Sequence, residues 1–436
     1  MKYKSYSLHN YRQIPQIEKL SEDQKLTIET VGNVLPFRVS NYVVEELIDW
    51  DNFENDPFFI LTFPQKGMLS SYRFDKVANL LKKEAPRSEL VKTINKIRLD
   101  LNPNPAGQEM NVPIFEGRRL NGIQHKYRET MLFFPTQGQT CHAYCTFCFR
   151  WPQFALNDFR FAMKEVELMI RYLKLKPEIT DVLFTGGDPA VMKTRFFEHY
   201  FNALLEADIP HLKNIRIGTK ALTYWPYRFT SDDDADDLMR LFEKVKNKGI
   251  NIALMAHLNH PGEIEIKAAQ DAIKRLQNAG VQIRSQSPIL KNINNSSAIW
   301  AENWEKQVSL GIIPYYMFIA RNTGAQNYFA VTLEQAWRIY RNAYKQVSGI
   351  SRTVRGPSMS TSPGKIQILG ISEIMGEKVF VLTFLQGRNP NWVGRPFYAV
   401  YDEDALWLDD LFPAFEKEEF FFEESSQIFN FQNQLL

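Results

Sequence analysis

Residues 131–150 read MLFFPTQGQTCHAYCTFCFR, a short apolar stretch followed by a loop that holds every cysteine of the chain. The apolar part, 131–135, predicts a β-strand, and Cys141, Cys145 and Cys148 follow it directly. Three thiols so close together in a chain of 436 residues are not typical of disulfides or core packing. Thiolates hold iron–sulfur clusters through their iron atoms, so the loop predicts a four-iron cluster that keeps one iron open.

Two other interpretations of the cysteines stay open. A structural zinc ion takes four nitrogen or sulfur ligands, and His142 or a distant histidine would complete such a site. The cysteines could also be unrelated buried thiols. The chain has no fourth cysteine, which argues against a closed four-cysteine site for either metal.

Downstream of the loop, predicted strands and helices alternate. The strands fall at 131–135, 181–185, 214–218, 250–256, 281–285 and 313–319. The helices include 161–175, a helix capped at Ser231 that runs to Asn247, 263–279, one around Trp304, and 333–346. Six strand–helix units predict an α/β fold with a parallel sheet and right-handed crossovers. Because a closed barrel of this kind needs eight units, we expect a partial (β/α)6 barrel.

The flanking regions differ from this alternating part. Residues 1–110 predict a helical N-terminal region, and the breaker-rich segment 101–107 predicts a linker to the barrel, which we assign to 120–346. Residues 347–436 predict a small C-terminal region with short strands and an acidic, Phe-rich tail from Glu416.

Bulk composition narrows the class of protein. A formal net charge of +2 gives no strong field for nucleic acid, and no apolar stretch reaches the roughly 20 residues that cross a bilayer. The first residues do not have the pattern of a signal peptide. Clustered free cysteines without a secretion signal predict a cytoplasmic protein.

The loops that follow the strands carry the polar residues. In parallel α/β folds such loops gather at one edge of the sheet, so their side chains are expected to converge. Glycines bring backbone close to a ligand, and Asp188 can accept from a cationic amine. The positions concerned are Gly186, Gly187, Asp188, Thr219, Lys220, His257, Gln286 and Arg321.

The cysteine loop and the loops that follow the later strands resemble those of radical S-adenosylmethionine (SAM) enzymes, and specifically those of the lysine 2,3-aminomutase family. The resemblance covers about residues 35–370, and the final 65 residues match poorly. The matching stretches include 215–221, 224–230 and 257–264, followed by Gln286-Ser and Pro314-Tyr-Tyr in the family's order.

The resemblance implies two cofactors at the cysteine loop. Cys141, Cys145 and Cys148 would hold a [4Fe–4S] cluster, and the amino and carboxylate groups of SAM would fill its open iron. Reductive cleavage of SAM would give a radical that abstracts hydrogen from the substrate. Further positions match the family's SAM contacts: Gly186, Gly187 and Asp188 at the methionine end, and His257 and Gln286 along the ligand.

The resemblance also implies pyridoxal phosphate, held as a Schiff base on Lys365. The run 355–366 departs from the family's pattern because serines replace most glycines and the run is longer. The family's phosphate-binding arginine falls near Thr130, with Arg128 two residues away. A surface lysine in a turn is the alternative interpretation of Lys365.

The substrate positions depart most from the lysine-specific pattern. Arg150 matches the arginine that binds the substrate's α-carboxylate, where a bidentate pair suits the role. The two aspartates that receive the ammonium of lysine fall on Arg321 and on Arg355, or on Ser358 by spacing. An arginine there repels an ammonium, so we expect an amino acid with an acidic or neutral polar end. The alternative is that Arg321 points away or pairs with a carboxylate.

These observations predict a 1,2-amino shift on a small amino acid, with a reducing electron donor such as a flavodoxin or ferredoxin. The alternatives are a radical SAM enzyme that works without pyridoxal phosphate, and a non-catalytic iron–sulfur sensor or scaffold. The cysteines that bind zinc between subunits in lysine-type members are absent here. Any homo-oligomer would need other contacts, for example the Phe-rich segment 411–431.

Overall fold

The computed structural model describes residues 1–102, 109–156 and 161–423. The N-terminal region is mainly helical, as predicted, and α1 begins with a reciprocal capping box between Ser21 and Gln24. Of the predicted linker 101–107, only the first two residues lie within the described part. The elements are β1 (Ser5–Ser7), α1 (Glu22–Val34), β2 (Arg38–Ser40), α2 (Pro57–Thr62), α3 (Ser71–Lys82) and α4 (Arg87–Asp100).

A sheet of eleven strands forms the body of the protein, and its strand order follows the sequence. Seven consecutive strands, β6 to β12, are parallel, and the strands beyond them at both ends are antiparallel. After a small hairpin of β3 (Ile114–Phe115) and β4 (Arg118–Arg119), the strands of the sheet are β5 (Ile123–Tyr127), β6 (Thr130–Phe133), β7 (Asp181–Phe184), β8 (Asn214–Thr219), β9 (Asn251–His257), β10 (Gln282–Ile289), β11 (Ile313–Ile319), β12 (Arg355–Ser360), β13 (Gly364–Ile374), β14 (Glu377–Gly387) and β15 (Pro396–Val400).

Helices connect the parallel strands. The helices after α4 are α5 (Pro152–Ala155), α6 (Val166–Lys174), α7 (Thr194–Glu206), α8 (Ala221–Tyr224), α9 (Ala235–Asn247), α10 (Lys267–Asn278), α11 (Ser297–Ser309), α12 (Gln326–Phe329) and α13 (Leu333–Gln346). Each strand from β6 to β11 is followed by one long helix, namely α6, α7, α9, α10, α11 or α13. The six predicted units and the α/β partial barrel are therefore confirmed.

The crossover helices are held to the sheet by one apolar face. In α9, Leu238, Phe242 and Val245 recur at helical spacing and are buried, whereas Asp236, Asp237 and several lysines lie on the other side. Burying one such side chain contributes about 1.5–3 kcal/mol relative to leaving it exposed. The pattern that predicted the helix is thus the pattern that packs it.

Three of these helices, α6, α9 and α10, begin several residues later than predicted. The residues in front of them make tertiary contacts that a helix would not allow. Met163 exchanges backbone hydrogen bonds with the strand end at Phe134 and Thr136. The carboxylate of Asp234 accepts from the backbone N–H of Thr194 and pairs with Arg228. Residues that the hydrophobic periodicity assigns to the starts of these helices therefore belong to the preceding loops.

The C-terminal region extends the same sheet. β12 adds a seventh parallel strand beside β11, and β13 and β14 form a long antiparallel hairpin. The strand predicted at 379–383 is the middle of β14. The sheet therefore runs without a break past residue 347, where the sequence predicts a separate region.

Side chains connect the β5 edge of the curved sheet to the loops that follow β12 and β14. Lys126 on β5 donates from Nζ to the carbonyl oxygen of Thr361, which follows β12. Arg388, just after β14, donates to Asn111 Oδ1 at 2.6 Å. The sheet therefore curls until its β5 edge approaches these loops, and this leaves a deep interior.

The start of the Phe-rich tail packs against its own sheet. Phe420 and Phe422 are buried and lie on the ring of Phe397, at centroid distances of 5.5 Å each. The remainder of the segment predicted as a subunit contact, 424–431, lies outside the described residues. Within the described part of the chain, no helix is long and apolar enough to cross a membrane.

Candidate active site

A cavity of about 780 Å³ occupies the interior of the curved sheet. Five residues that the sequence singles out line it, although they come from five different segments of the chain. They are Arg150, His257, Gln286, Arg321 and Lys365. The parallel topology accounts for this convergence, because loops that leave the same edge of a sheet surround one space.

The cysteine loop lies over this cavity and is held by the N-terminal region. Tyr144 N–H donates to the carbonyl oxygen of Arg38, and Thr146 donates from its backbone and its hydroxyl to the end of α2. Arg38 in turn donates to Thr140 Oγ1 at 2.6 Å and to the carbonyl oxygen of Cys141 at 3.3 Å. Arg38 is a supporting residue that sequence reasoning missed, since no local pattern links β2 to the loop.

Cys141, Cys145 and Cys148 are free and partly buried. Burial raises the pKa of all three thiols, that of Cys145 to about 12, and a metal centre would have to displace their protons. Across 1–102, 109–156 and 161–423, no group of three or more His, Cys, Asp and Glu side chains is arranged to hold a single metal ion.

The polar surroundings of the loop fit a sulfur-ligated cluster. Three buried polar groups beside it have no hydrogen-bond partner: Nδ1 of His142, Nη1 of Arg150 and the hydroxyl of Tyr224, of which the last two are donors. Burial lowers the pKa of His142 to about 3, so its ring is neutral. Unpaired thiols together with uncommitted donors are the chemistry that an electron-rich sulfur centre needs.

The glycine pair after β7 lets two backbones meet. A Cβ on Gly187 would lie 2.5 Å from the carbonyl oxygen of Thr140, and Gly186 has a φ of +139° beside Gln139. Both positions therefore require glycine, because the loop after β7 packs directly against the start of the cysteine loop.

Asp188 is not among the residues that line the cavity. Its carboxylate accepts from Thr219 Oγ1 at 2.5 Å and from the backbone N–H groups of Lys220 and Ala190 at 2.9 Å each, and the residue is 4% exposed. Burial raises the pKa of Asp188, and these hydrogen bonds oppose that rise. Protein donors therefore hold both oxygens of Asp188, and the acceptance of a ligand's amine by this carboxylate stays a prediction. The residue joins the loops after β7 and β8.

His257 and Gln286 are neighbours in the register of β9 and β10 and face the cavity. The ring of His257 stacks on Phe147 of the cysteine loop, with 5.7 Å between centroids. Burial lowers the pKa of His257 to about 3, so the ring is neutral at physiological pH. A neutral imidazole and an amide offer hydrogen bonds without adding charge.

A buried ion pair that sequence reasoning missed supports His257. Lys220 Nζ pairs with Glu263 and also donates to the carbonyl oxygen of His257 at 3.1 Å and to Thr223 Oγ1 at 3.2 Å. The second oxygen of Glu263 accepts from Asn259 N–H at 2.9 Å. All three ammonium protons thus have acceptors, as a buried lysine requires.

Arg150 and Arg321 share one aromatic ring. Their guanidinium carbons lie 5.0 and 5.2 Å from the centroid of Phe149. Burial lowers the pKa of each guanidinium to about 10, so both remain charged at neutral pH. Among the residues that the structure describes, neither forms an ion pair with a carboxylate.

Lys365 lies near the start of β13 and extends into the cavity. Its Nζ donates to Gln386 Oε1 at 3.1 Å and lies 3.9 Å from the ring centroid of Tyr316. Burial is the main cause that lowers the pKa of Lys365 to about 7; Tyr315 opposes the shift, and Arg216 and Arg355 add to it. This environment fits a lysine that condenses with an aldehyde, because a large share of the amine is unprotonated at neutral pH.

Three other candidates are not among the residues that line the cavity. Arg355 is exposed at the first residue of β12 and stacks on Tyr315 at 4.5 Å, outside the cavity lining. Ser358 is buried and donates to the carbonyl oxygen of Met317 at 3.4 Å. Arg128 is exposed in the turn before β6. Arg355 is nevertheless near Lys365, because its guanidinium lies 5.2 Å from the centroid of the Tyr316 ring, which Lys365 Nζ also contacts.

The charge of the cavity wall is strongly one-sided. Asp181 is the only carboxylate among its described lining residues, and it is paired with Arg216. The lining cations are Lys126, Arg150, Arg216, Lys246, Arg284, Arg321 and Lys365. Such a wall favours ligands that bring several negative charges, for example phosphate and carboxylate groups.

Comparison of the sequence with curated proteins finds relatives named as amino acid 2,3-aminomutases. No family model matches the chain. The chain is 31% identical over 395 residues to "Putative L-lysine 2,3-aminomutase" of Aquifex aeolicus (strain VF5), covering 90% of this chain and 92% of that protein. It is 27% identical to "Glutamate 2,3-aminomutase" of Clostridioides difficile (strain 630), covering 78% and 68% of the two chains. Among solved structures, a radical SAM methyltransferase from Sphaerobacter thermophilus is 14% identical, with 66% and 93% covered and a TM-score of 0.40.

Proposed function

The chain belongs to the lysine 2,3-aminomutase family, and from this premise we propose that it catalyses a 1,2-amino shift on an amino acid whose side chain ends in an acidic or neutral polar group. The observation that carries the proposal is the pair of guanidinium groups on Phe149, charged and without a carboxylate partner among the described residues. Lysine would bring an ammonium group to these cations, whereas a second carboxylate would pair with one of them.

Three cofactors fit the residues present. Cys141, Cys145 and Cys148 would hold a [4Fe–4S] cluster, Gly186, Gly187, His257 and Gln286 would contact SAM, and Lys365 would hold pyridoxal phosphate. When bound, the cluster and SAM supply hydrogen-atom abstraction at the β-carbon, and pyridoxal phosphate supplies a carrier for the migrating nitrogen.

Arg150 would fix the substrate's α-carboxylate. It follows Cys148 by two residues, so the same loop that would hold the cluster would also orient the carbon skeleton. A guanidinium offers a planar pair of donors to a carboxylate, and burial strengthens the interaction. The unpartnered Nη1 of Arg150 supports this role, since a buried donor without an acceptor is rare in a folded protein.

Arg321 would receive the far end of the side chain. It lies on the same ring as Arg150, and desolvation lowers its pKa without removing its charge at neutral pH. A carboxylate or amide would accept from it, whereas an ammonium group would be repelled. The two arginines would therefore select for length and charge at the same time.

Lys365 would exchange the amino group. With a pKa of about 7, about half of its amine is unprotonated at pH 7 and is able to attack an aldehyde. Gln386 holds the nitrogen, and Tyr316 covers it on one side. A reducing compartment such as the cytoplasm, with a donor such as a flavodoxin or ferredoxin, would keep the thiols and the cluster reduced.

Product analysis tests the proposal. Anaerobic protein reconstituted with iron, sulfide and pyridoxal phosphate is incubated with SAM, dithionite and one amino acid, and β-amino products are resolved by mass spectrometry. We expect a β-amino acid from glutamate, aspartate or a neutral polar amino acid, and none from lysine. A β-amino product from lysine alone would contradict the proposed substrate class.

The same assay separates the two alternative activities. Turnover that is unchanged in Lys365→Ala would favour a radical SAM enzyme that works without pyridoxal phosphate. Absence of 5′-deoxyadenosine with every amino acid would favour a non-catalytic iron–sulfur protein.

A further inference from the structure

We propose that Tyr224 is a positioning residue for the cluster: its hydroxyl donates a hydrogen bond to the sulfur of Cys145 when that sulfur ligates iron, and so makes the cluster easier to reduce. The inference rests on the part of the proposed function that assigns a cluster to the three cysteines. It does not depend on the substrate or on pyridoxal phosphate.

The hydroxyl of Tyr224 is a buried donor without an acceptor. Tyr224 is 1% exposed at the end of α8, and its Oη is one of the buried polar atoms that have no hydrogen-bond partner. The backbone fixes the residue on both sides: its N–H donates to Lys220 at 2.9 Å, and its carbonyl oxygen accepts from Ser40 Oγ at 2.8 Å. The ring therefore has little freedom to turn its hydroxyl towards solvent.

Cys145 is the sulfur beside this hydroxyl. Cys145 packs against the same N-terminal core that contains Tyr224, and the side chains of the two residues are within interaction distance of each other. A tyrosine hydroxyl keeps its proton at neutral pH and remains a donor. A thiolate bound to iron is a better acceptor than the thiol, and its sulfur would give the hydroxyl the partner that it lacks.

Lys220 also lies near Cys145, but its protons are already committed. Its Nζ lies 4.4 Å from the centroid of the Tyr224 ring and donates to Glu263, to His257 and to Thr223. The paired carboxylate of Glu263 balances its charge. The uncommitted donor next to this sulfur is therefore the tyrosine hydroxyl.

A hydrogen bond to a ligating sulfur stabilises the reduced, more electron-rich state of an iron–sulfur cluster. Removing it makes reduction harder. In Tyr224→Phe we expect the equilibrium constant for one-electron reduction to fall about tenfold, which corresponds to a midpoint potential about 59 mV more negative. Iron content per chain should stay the same, since the three sulfur ligands are intact.

Tyr42 provides a matched control. It is also fully buried in the N-terminal core, its hydroxyl also lacks a partner, and its ring neighbour is Tyr227 at 5.8 Å. Tyr42→Phe therefore removes the same atom from the same core without touching a cysteine. Its cluster should titrate at the wild-type potential.

The test is a redox titration of the reconstituted full-length protein, without SAM, followed by electron paramagnetic resonance. A more negative potential in Tyr224→Phe, with Tyr42→Phe unchanged, supports the proposal. Equal potentials in wild type and Tyr224→Phe, or equal shifts in both variants, would overturn it.

A second measurement covers the case in which Tyr224→Phe takes up no cluster. Electron–nuclear double resonance of the reduced wild-type cluster in H₂O and D₂O should show one strongly coupled exchangeable proton, and absence of such a proton would overturn the proposal. Wild-type protein that binds no iron overturns this inference and the proposed function together. A cluster that forms without any amino shift overturns the proposed function alone.

Discussion

Arg150 and Arg321 hold their guanidinium groups against the same ring, that of Phe149, at 5.0 and 5.2 Å from its centroid. Each guanidinium is within the roughly 6 Å at which a cation interacts with an aromatic ring. The two guanidinium carbons are therefore no more than about 10 Å apart. Phe149 lies between Cys148 and Arg150 in the sequence and is 38% exposed. One residue thus links the cysteine loop to both charges that would hold a dicarboxylate.

Removing the charge of Arg321 should weaken the binding of acidic substrates. In Arg321→Gln we expect kcat/KM for the best acidic substrate to fall about 10- to 100-fold, because a charge-assisted hydrogen bond contributes roughly 1.5–3 kcal/mol. Steady-state kinetics of 5′-deoxyadenosine release measures the change. Arg128→Gln, an exposed arginine outside the cavity, is the matched control and should behave as wild type. Equal loss in both variants would contradict the assignment of Arg321.

The pKa of Lys365 predicts how pyridoxal phosphate binds as pH changes. The unprotonated amine is the reactive form, and burial lowers the pKa of Lys365 to about 7. The rate of cofactor incorporation should therefore rise about tenfold between pH 6 and 8 and then level off. With a lysine of ordinary pKa, the rate of cofactor incorporation would still be rising at pH 9. The measurement is the growth of cofactor absorbance in stopped flow, and Lys365→Ala should show none.

Gly187 should be intolerant of any side chain. A Cβ there would lie 2.5 Å from the carbonyl oxygen of Thr140 and 2.6 Å from its nitrogen, so the cysteine loop would have to shift. We expect Gly187→Ala to cost about 1–3 kcal/mol of stability and to lower bound iron per chain. Gly349→Ala, where nothing lies within 4 Å of the added Cβ, is the control. Full iron occupancy in Gly187→Ala would show that the contact is not needed.

The buried pair of Lys220 and Glu263 should be costly to break from one side. Lys220→Met leaves a buried carboxylate without its cation, and we expect a loss of about 3–5 kcal/mol in the free energy of unfolding. The double variant Lys220→Met/Glu263→Gln should recover part of the lost free energy of unfolding, because no unpaired charge then stays buried. Denaturant unfolding measures both variants. Lys306→Met, which breaks exposed pairs, should cost less than about 1 kcal/mol.

The alternation of elements could be predicted because each unit carries its own pattern. β8 alternates buried and partly buried residues, and α9 buries one helical face. The cysteine loop could be located because spacing along the chain decides it. Convergence on one cavity followed from the parallel topology, and five of the candidate residues lie there.

The features of the site that could not be predicted depend on contacts between segments far apart in the sequence. The hydrogen bonds that Thr219 and Lys220 of the next loop donate to Asp188 have no signal in the local sequence. Arg38 reaches the cysteine loop from about 100 residues upstream, and no local period signals such a contact. Arg355 was assigned by alignment of a run whose length departs from the family, and the structure places it at the opposite end of β12 from Ser360.

Transfer of deuterium tests the central claim most directly. Reconstituted protein is incubated under reducing, anaerobic conditions with SAM and either glutamate or lysine deuterated at the β-carbon, and 5′-deoxyadenosine is analysed by mass spectrometry. We expect deuterium in 5′-deoxyadenosine from glutamate and none from lysine, since Arg150 and Arg321 favour two carboxylates. Deuterium from lysine and none from glutamate would contradict it.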